Sequence, residues 1–585
     1  MNISWKRFRL GRYELLALAL ILLAVVLRLI LLAYGWPQQS AEEGTFGLEA
    51  MHIAYKGQFP VFMYGQDYMG TLEAYAAAVL FHLFGVSWFV LRLSLVILFA
   101  LFLLCLYFLA KLLYSPKLAL FTLLLLCFGS FDMVLVEMKV LGGAVETLLF
   151  GALLLLLATH LSLSSGQELP TTKKWLRLAG FAAWGCCVGL GLWSHTLVVP
   201  FVLTSGLLLL LFCHREVLTM APVALLIGLV IGFWPLIIYN LHAAPGHDSI
   251  SVFIQLYTLG SASQSTSHFF RKELLGTFFF TLPTITGMNA LYDPRPLPLP
   301  YFSSMHTSII NILAEGGWSL GYLLLLFSAF AMAGRGLWQL RKHYQGKMTA
   351  WPEKGRQMVV IYTAQLMLLL AAILTIALFA HSSNAALRPW STRYMIGLLV
   401  ATPALLWPLW NGINIYLPRF SVSARLALLT KFLRRALLVS LVCLFAAEML
   451  HNAIIQMPMV TLDNAQGNAI THDLVQMGVT HIYSGYWQCD RFIFLTQEKL
   501  ICAAVSDDMS PGWTRYQPYY DIVHADPNAA YVFPQQDTAA QQSFAQKIDG
   551  HPRSFRRLTM DGYVVYLPEQ SFFARIYCSS LQQEC

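Results

Sequence analysis

Residues 36–75 read WPQQSAEEGTFGLEAMHIAYKGQFPVFMYGQDYMGTLEAY and lie between two long apolar runs of the chain. Seven Asp, Glu, His or Lys side chains fall within this stretch: Glu42, Glu43, Glu49, His52, Lys56, Asp67 and Glu73. A segment that only connects two apolar runs needs few charges, and functional residues concentrate on such connecting segments. We therefore interpret residues 36–75 as the candidate active-site loop.

An acidic doublet, Glu42-Glu43, opens this loop. Ser40 and Glu43 have the S-x-x-E spacing of a capping box, in which the serine hydroxyl caps the first helical turn and the glutamate returns to the serine amide. Glu43 is therefore expected to have a structural role. Glu42 is left without one, which makes it the candidate for chemistry.

The residues after the doublet predict a short amphipathic helix. Its apolar positions recur at helical spacing: Phe46, Ala50, Ile53 and Ala54. We expect this stripe to lie on a bilayer surface while Glu42, Glu49 and His52 face a cavity. The alternative is a solvated interfacial helix with carboxylates in its first turn, where the helix dipole favours them.

Several sequence blocks follow one another around this loop: Ala41-Glu42-Glu43, residues 50–60, residues 64–75, residues 81–87 and Arg92. Together they resemble the GT-C membrane glycosyltransferases, a superfamily that includes the aminoarabinose transferases and the protein O-mannosyltransferases. Residues 232–240 and 393–397 also resemble signatures of that superfamily. The resemblance implies a polytopic membrane enzyme that uses a lipid-phosphate-linked sugar.

The composition of the whole chain agrees with a membrane protein. Of its 585 residues, 57% are hydrophobic and 12% are charged, and the mean hydropathy is +0.60. Soluble globular domains carry about 25% charged residues, so this composition excludes a soluble globule. The net charge of +8 is spread between apolar runs, so we assign it to membrane topology and predict no nucleic-acid partner.

Eleven apolar runs are interpreted as transmembrane helices, and up to thirteen if a pair is missed. The first, from Tyr13 to Tyr34, follows basic residues and precedes no small-residue cleavage site, which predicts an uncleaved signal anchor. The others are 88–110, 118–131, 145–164, 177–193, 196–213, 219–240, 318–338, 358–380, 395–414 and 434–456. The shorter apolar segment 72–85 is predicted to be a juxtamembrane or partly inserted helix.

Lysine and arginine accumulate in alternate connecting segments, which predicts that these segments and the amino terminus are cytoplasmic. The first loop, 35–87, and the long loop, 241–317, are then extracytoplasmic. We expect a multi-pass protein of the cytoplasmic (inner) membrane. The aromatic and proline content of 241–317 predicts a lid over lipid and sugar.

The composition changes after the last apolar run. Residues 1–457 are predicted to form the transmembrane catalytic domain, and residues 458–585 an extracytoplasmic, periplasmic α/β domain. Its pattern predicts helices near 464–477 and 537–547 and strands near 480–486, 491–496, 500–505, 529–533 and 563–567. Of three connectivities for its four cysteines, we favour Cys489 with Cys502 and Cys578 with Cys585.

Transfer of a sugar from a lipid phosphate needs a base for the acceptor proton, cations for the departing phosphate and an apolar groove for the carrier. Glu42 is the candidate base. Glu43 is kept as a second candidate, because a Glu-Glu doublet replaces the Asp-Glu that is usual in the superfamily. Glu146 is a third, because superfamily members place an acid near this point; a carboxylate at a helix amino terminus is the alternative.

Positive charge near the leaving phosphate stabilises the transition state. Arg388 and Arg393 are the favoured cations, with interfacial snorkelling as the alternative interpretation. The predicted substrate-binding residues are His52, Lys56, Tyr64, Asp67, Tyr68, Arg271, Arg295, Arg388, Arg393 and Tyr394. His195, at the end of a predicted span, is a weaker candidate.

Metal binding is not required by the sequence. It contains no C-x-x-C or H-E-x-x-H motif. The acidic-basic pair that aminoarabinose transferases carry near the end of the first loop is absent from Met69-Gly70-Thr71. A divalent cation is compatible with the chain but not implied, and the lipid-phosphate sugar counts as a substrate and not as a cofactor.

The combined prediction is an inverting glycosyltransferase. It would move a monosaccharide from a polyprenyl phosphate to a hydroxyl or phosphate of a lipid or surface glycan at the outer face of the membrane. Protein O-glycosylation is the alternative within the enzyme class. A transporter of lipid-linked sugar is the alternative from another class, for which internal repeats and charges along a mid-membrane path would be expected.

Overall fold

The computed structural model describes residues 11–165, 171–219, 221–252, 254–255, 268–288, 309–344, 351–382, 385, 389–412, 424–548 and 555–568. These residues are mainly helical, with one five-stranded sheet near the carboxyl end. Residue contacts divide the chain into two compact units. We call them the helical unit (residues 1–28, 96–137 and 143–452) and the mixed unit (residues 29–95, 138–142 and 453–585).

The described helices are α1 (Arg12–Ala33), α2 (Ala41–Lys56), α3 (Leu72–Phe84), α4 (Trp88–Leu113), α5 (Pro116–Phe128), α6 (Phe131–Met138), α7 (Ala144–Leu163), α8 (Thr171–Ser194), α9 (Val199–Val217), α10 (Ala221–Gly232), α11 (Trp234–His242), α12 (His268–Gly276), α13 (Leu282–Thr286), α14 (Ile309–His343), α15 (Glu353–Ala380), α16 (Thr402–Asn411), α17 (Ala424–His451), α18 (Met457–Gln476), α19 (Tyr486–Leu495), α20 (Gln517–Ala525) and α21 (Thr538–Ile548). Short 3₁₀ or π segments cover Thr196–Val198, Thr277–Thr281, Pro389–Ala401 and Asn452–Gln456. The strands are β1 (His481–Gly485), β2 (Ile501–Val505), β3 (Ala530–Pro534), β4 (Phe555–Met560) and β5 (Tyr563–Pro568).

Nine helical spans within the described ranges are long and apolar enough to cross a membrane. Two bent pairs raise the number to eleven when each counts as one span: α5 with α6, bent by 80°, and α10 with α11, bent by 64°. Each of the eleven overlaps one predicted apolar run. The predicted polytopic helical architecture is therefore confirmed, and segment 72–85 forms the shorter helix α3.

The bend between α5 and α6 explains Arg28, a charged residue inside the first apolar run. Arg28 is fully buried and forms a salt bridge with Glu137, with 2.5 Å between Nη2 and Oε2. It also donates hydrogen bonds to the carbonyl oxygens of Leu126 and Cys127, at 3.2 and 2.9 Å. Carbonyls in the last turn of a helix lack partners within it, so Arg28 satisfies backbone groups at the end of α5.

The sheet of the mixed unit has the strand order β2-β1-β3-β5-β4. Strand β1 pairs in parallel with β2 and β3, whereas β5 pairs antiparallel with β3 and β4. Parallel neighbours need crossover connections, and α19 and α20 provide them. Phe533, Phe544, Val564 and Tyr566 form much of the core on this sheet. The predicted terminal α/β fold is therefore confirmed.

One predicted strand, near 491–496, is wrong, because Tyr486–Leu495 form helix α19. A short apolar run does not distinguish a strand from a buried helix by its pattern alone. Here α19 packs closely against α2 within the mixed unit. A Cβ atom on Gly44 would lie 2.5 Å from the Asp490 carbonyl oxygen, and one on Gly47 would lie 2.6 Å from the Phe494 ring. Strand β4 has no counterpart among the predicted strands.

The favoured pairing of Cys489 with Cys502 is confirmed by a disulfide between α19 and β2. Cys578 and Cys585 lie outside the described residues, as do 292–301, the proline-rich part of the predicted lid. The domain boundary predicted after residue 457 stays a prediction.

Candidate active site

Helix α2 begins at the acidic doublet, and Ser40 is its N-cap. The Ser40 hydroxyl accepts a hydrogen bond from the Glu43 amide at 3.5 Å. The Glu43 carboxylate accepts from the Ser40 hydroxyl at 3.4 Å and not from the Ser40 amide that the capping box predicts. In addition, Nε and Nη2 of Arg92 donate to its two oxygens at 2.9 and 2.8 Å, and both side chains are buried. The planar guanidinium of Arg92 bonds to both carboxylate oxygens at once, so Glu43 is bound more strongly by Arg92 than by Ser40.

Glu42 is the more exposed member of the doublet. Its side chain is 22% exposed, whereas that of Glu43 is not exposed. Nη2 of Arg515 lies 3.7 Å from the Glu42 Oε1 atom. Glu42, which the sequence predicts to have no structural role, therefore faces a guanidinium group from a residue distant in sequence.

Arg515 is held by several groups of the mixed unit, and its side chain is 1% exposed. Its Nε donates to the Tyr486 hydroxyl at 2.7 Å, and its Nη1 donates to the Tyr64 carbonyl at 3.4 Å. The guanidinium carbon also lies 4.4 Å from the ring centroid of Trp513, within the range of a cation–π interaction. These contacts fix the position of the charge that faces Glu42.

The far end of α2 carries a partly buried polar cluster, in which the Lys56 side chain is 46% exposed. Nδ1 of His52 lies 2.8 Å from the Tyr64 hydroxyl, and Nε2 lies 3.1 Å from Oε1 of Glu498. Lys56 and Tyr519 donate to the same Glu498 oxygen at 2.6 and 2.8 Å. Three predicted site residues, His52, Lys56 and Tyr64, are thus brought together around a carboxylate that the sequence analysis did not single out.

The two carboxylates near this cluster have opposite pKa shifts. Burial would raise the pKa of Glu498, but hydrogen bonds from His52, Lys56 and Tyr519 outweigh it and lower the pKa to about 2. Burial raises the pKa of Glu49 well above its usual value, although the Tyr64 amide donates to this carboxylate at 2.5 Å. Glu498 is therefore the ionised one of these two carboxylates.

The predicted orientation of α2 is wrong at Phe46, Ala50, Glu49 and His52, whereas Ile53 and Ala54 are half-buried and Glu42 is partly exposed. Phe46 and Ala50 are fully buried in protein and do not face a bilayer, and Glu49 and His52 are also fully buried and do not line an open cavity. Helices α3 and α19 pack against α2. An amphipathic pattern identifies an apolar face but does not say what covers it.

The remaining predicted residues of the first loop lie in the turn before α3. Asp67 is half-buried and Tyr68 is 39% exposed. Neither belongs to the Glu498 cluster through the contacts described above. Both therefore stay predictions for substrate binding.

Within the helical unit, α7 begins beside His195. Gly143, the N-cap of α7, has a φ of +77°, and a Cβ atom there would lie 2.8 Å from Cγ of His195, so a side chain is excluded on both grounds. Glu146, in the first turn of α7, is fully buried. The His195 ring lies 6.0 Å from the Tyr394 ring.

Arg393 completes this group in the helical unit. It donates to the Tyr394 hydroxyl at 3.4 Å, and its guanidinium carbon lies 5.2 Å from the Tyr394 ring centroid. His195 lies in the turn between two spans; burial, and then the charge of Arg393, lower its pKa to about 4. Its imidazole is therefore neutral at neutral pH. Arg295, Arg388 and the side chain of Arg271 lie outside the described residues.

The helical unit also contains an apolar cavity of about 870 Å³. It is lined by residues of α5, α14, α16 and α17, among them Leu125, Gly321, Leu405 and Phe445. A cavity with so few polar groups suits an apolar chain better than a polar molecule. In the part of the chain that the structure describes, no three His, Cys, Asp or Glu side chains are grouped to hold a metal ion.

No family model and no curated protein matches the sequence. Solved structures do match. The structure of ArnT from Cupriavidus metallidurans bound to undecaprenyl phosphate is 14% identical, and the match covers 94% of this chain and 97% of ArnT with a TM-score of 0.55. The chain has the GT-C fold. The resemblance seen in the sequence is therefore confirmed at the level of fold.

Two further matches have lower scores. Apo ArnT from the same organism is 13% identical over 94% of this chain and 97% of that chain, with a TM-score of 0.52. The oligosaccharyltransferase AglB from Archaeoglobus fulgidus is 12% identical over 95% of this chain and 74% of that one, and its TM-score of 0.43 is too low to carry an argument. At these identities the GT-C fold does not assign site residues, so the candidates depend on the contacts described above.

Sequence reasoning missed several residues of the candidate site: Tyr486, Glu498, Trp513, Arg515 and Tyr519. For Trp513 and Arg515, the available signal is composition. The segment Trp513-Thr-Arg-Tyr516 concentrates aromatic and basic residues in an otherwise polar terminal domain. Aromatic and arginine side chains are enriched where proteins bind partners, so this segment could have been singled out.

Proposed function

We propose that the chain is an inverting glycosyltransferase that moves a monosaccharide from a polyprenyl phosphate to an acceptor on a lipid or surface glycan. The observation that carries this proposal is the different environment of the two doublet carboxylates. Glu43 is buried against Arg92, whereas Glu42 stays partly exposed beside Arg515. A partly exposed carboxylate in a fixed position is suited to remove a proton from an alcohol.

The proposed reaction is a single displacement. The acceptor hydroxyl attacks the anomeric carbon of the sugar while Glu42 takes its proton, and the bond from that carbon to the phosphate oxygen breaks. The polyprenyl phosphate leaves with the electron pair, so the anomeric configuration inverts. A positioned general base contributes about 10² to 10⁴ in rate. No step is assigned to a metal ion.

The donor is proposed from the fold and the cavity together. ArnT, which shares the fold, is described as bound to undecaprenyl phosphate. The apolar cavity of the helical unit has the lining that an isoprenoid chain requires. We propose that this cavity holds part of the lipid chain. Arg393, together with Arg271, Arg295 and Arg388, is proposed to counter the leaving phosphate, and Tyr394 and Glu146 to contact substrate.

The polar cluster at the end of α2 is proposed to position and not to react. His52, Lys56 and Tyr64 bond to one another or to Glu498, which favours a role in holding α2. We further propose that residues 1–457 form the catalytic membrane domain in the cytoplasmic membrane, with the amino terminus in the cytoplasm. Residues 458–585 would then be extracytoplasmic.

The experiment is complementation of cells that lack the gene, followed by mass spectrometry of envelope lipids and glycans. The wild-type protein should restore a product whose mass exceeds that of an envelope lipid or glycan by one hexose or pentose. Glu42→Gln should lower that product by roughly 100-fold or more, as expected for loss of a general base. Glu353→Gln, an exposed carboxylate at the start of α15, is the control and should behave as wild type. An unchanged product with Glu42→Gln would favour a transporter and contradict the proposal.

A further inference from the structure

Three aromatic side chains form an exposed group on the mixed unit: Tyr486, Trp487 and Trp513, which we call the aromatic platform. Trp487 and Trp513 are 65% and 51% exposed. The Tyr486 ring is nearly parallel to that of Trp513, with centroids 5.3 Å apart, and lies 4.9 Å from that of Trp487. Exposed groups of large aromatic side chains often mark interaction sites.

The platform is rigid at Trp513. The preceding Pro511 forms a β-bridge with Val505, and the amide of Gly512 donates to the Ala504 carbonyl at 2.8 Å. A Cβ atom on Gly512 would lie 2.9 Å from the Ala504 carbonyl carbon, so this close approach to β2 requires glycine. Trp513 is therefore held in place before any ligand arrives, which reduces the entropy cost of binding.

Polar groups lie directly beside the platform. The Arg515 guanidinium is 4.4 Å from the Trp513 ring centroid, and its Nε donates to the Tyr486 hydroxyl. The same guanidinium lies 3.7 Å from the carboxylate of Glu42. Aromatic faces and fixed hydrogen-bonding groups therefore occur side by side at the proposed general base.

We propose that the aromatic platform binds a saccharide unit of the acceptor, so the acceptor is a glycan or the glycan headgroup of a lipid. This inference rests on the proposed function. The face of a pyranose ring presents C–H groups with partial positive charge, which match the negative face of an aromatic ring. Its hydroxyls can donate to the partly exposed carboxylate of Glu42, which the buried Arg515 guanidinium holds in place.

A membrane contact is the rival use of exposed tryptophans, because they are enriched at bilayer interfaces. The observations favour the saccharide. The Glu42 carboxylate, partly exposed and paired with the buried Arg515, can accept hydrogen bonds from a sugar but not from acyl chains.

The test uses the full-length protein in lipid nanodiscs. The probe is the water-soluble glycan fraction released by mild acid from the envelope of the source cells, and its binding is measured by saturation-transfer NMR and calorimetry. Trp513→Ala should weaken binding by roughly tenfold or more, consistent with the loss of one aromatic contact. Trp513→Phe, which keeps a ring, should lose less. Trp175→Ala removes another tryptophan, 70% exposed, and should bind as wild type.

Glu42→Gln separates this proposal from the proposed function. Its amide oxygen can still accept a hydrogen bond from a sugar hydroxyl, so it should bind the glycan fraction while it loses transfer. Retained transfer would contradict the proposed function and leave the binding result standing. Failure of the wild type to bind, or equal binding by Trp513→Ala, would overturn the platform proposal. The proposal would also be overturned if brominated nanodisc lipids quenched tryptophan fluorescence in the wild type but not in Trp513→Phe. That result would show that Trp513 contacts the membrane.

Discussion

The carboxylate of Glu42, in the first turn of α2, lies 3.7 Å from the guanidinium of Arg515, which follows the β2 strand of the terminal sheet. Exposed ion pairs contribute about 0 to 1 kcal/mol to stability. Arg515 is different because it is buried and bonded to Tyr486 and to the Tyr64 carbonyl. The position of the proposed base therefore depends on the folding of the terminal residues around it.

Arg515→Lys should lower kcat by roughly tenfold or more while KM for the donor changes little, because a positioning error acts on the reacting geometry. Lysine keeps the charge but cannot contact the Tyr486 hydroxyl, the Tyr64 carbonyl and Glu42 with one planar fork. Transfer kinetics with purified protein in nanodiscs provide the measurement. Arg557→Lys, an exposed arginine of β4, is the control. A fall in melting temperature with unchanged kcat would instead assign Arg515 a purely structural role.

The buried pair of Glu43 and Arg92 predicts strong coupling between two substitutions. Arg92→Met or Glu43→Leu alone leaves one buried charge unpaired and should cost about 3 to 5 kcal/mol. The double variant leaves neither charge, so its loss of stability should be clearly smaller than the sum of the losses in the two single variants. Thermal unfolding of the four proteins in detergent gives the comparison. Additive effects would mean that the two side chains do not share one interaction.

Acid should weaken the cluster around Glu498. Its pKa of about 2 in the folded protein lies below its usual value of 4.5, so its contribution is complete above about pH 4.5 and is lost as pH falls towards 2. Glu498→Gln should lower stability by about 1 to 2 kcal/mol near neutral pH, allowing for partial solvent screening. The difference in melting temperature between wild type and variant should close below pH 4.5. Asp507→Asn, at an exposed position just after β2, should show no such closure.

The membrane helices are predictable from the sequence because length and hydropathy alone decide which segments can span a bilayer. The sharp bends are not, since the pattern of 118–131 does not show that its helix ends at Phe128 and that another begins at Phe131. Arg28 illustrates the consequence. Its charge has no explanation within its own span, and its partners become visible only when α5, α6 and α1 are packed.

The candidate site is predictable from the sequence where it depends on local spacing. The prediction fails where the site depends on contacts between residues distant in sequence. Ser40 is the predicted N-cap because capping needs only neighbouring residues. The partners of Glu42 and Glu43 are Arg515 and Arg92, and no local pattern connects them. The apolar face of α2 is likewise recognisable, but the sequence does not show that α19 covers it.

The last prediction concerns the apolar cavity of the helical unit. Gly321 of α14 lines it, and a Cβ atom there would meet no atom within 4 Å. Gly321→Phe should therefore place its ring in the cavity without displacing packed neighbours, and the loss of a helical glycine should not weaken α14. If the cavity holds the lipid chain, KM for the polyprenyl-phosphate donor should rise by roughly tenfold with little change in kcat.

Gly334→Phe is the matched control for this prediction. Gly334 lies in the same helix, its Cβ position is equally open, and it is not part of the cavity lining. Donor titrations with both variants in nanodiscs should therefore separate them, with only Gly321→Phe requiring more donor. If both variants had the same KM for the donor, the effect of the added ring would not depend on its position in the cavity. The lipid chain would then have to bind elsewhere, even if transfer and its dependence on Glu42 were intact.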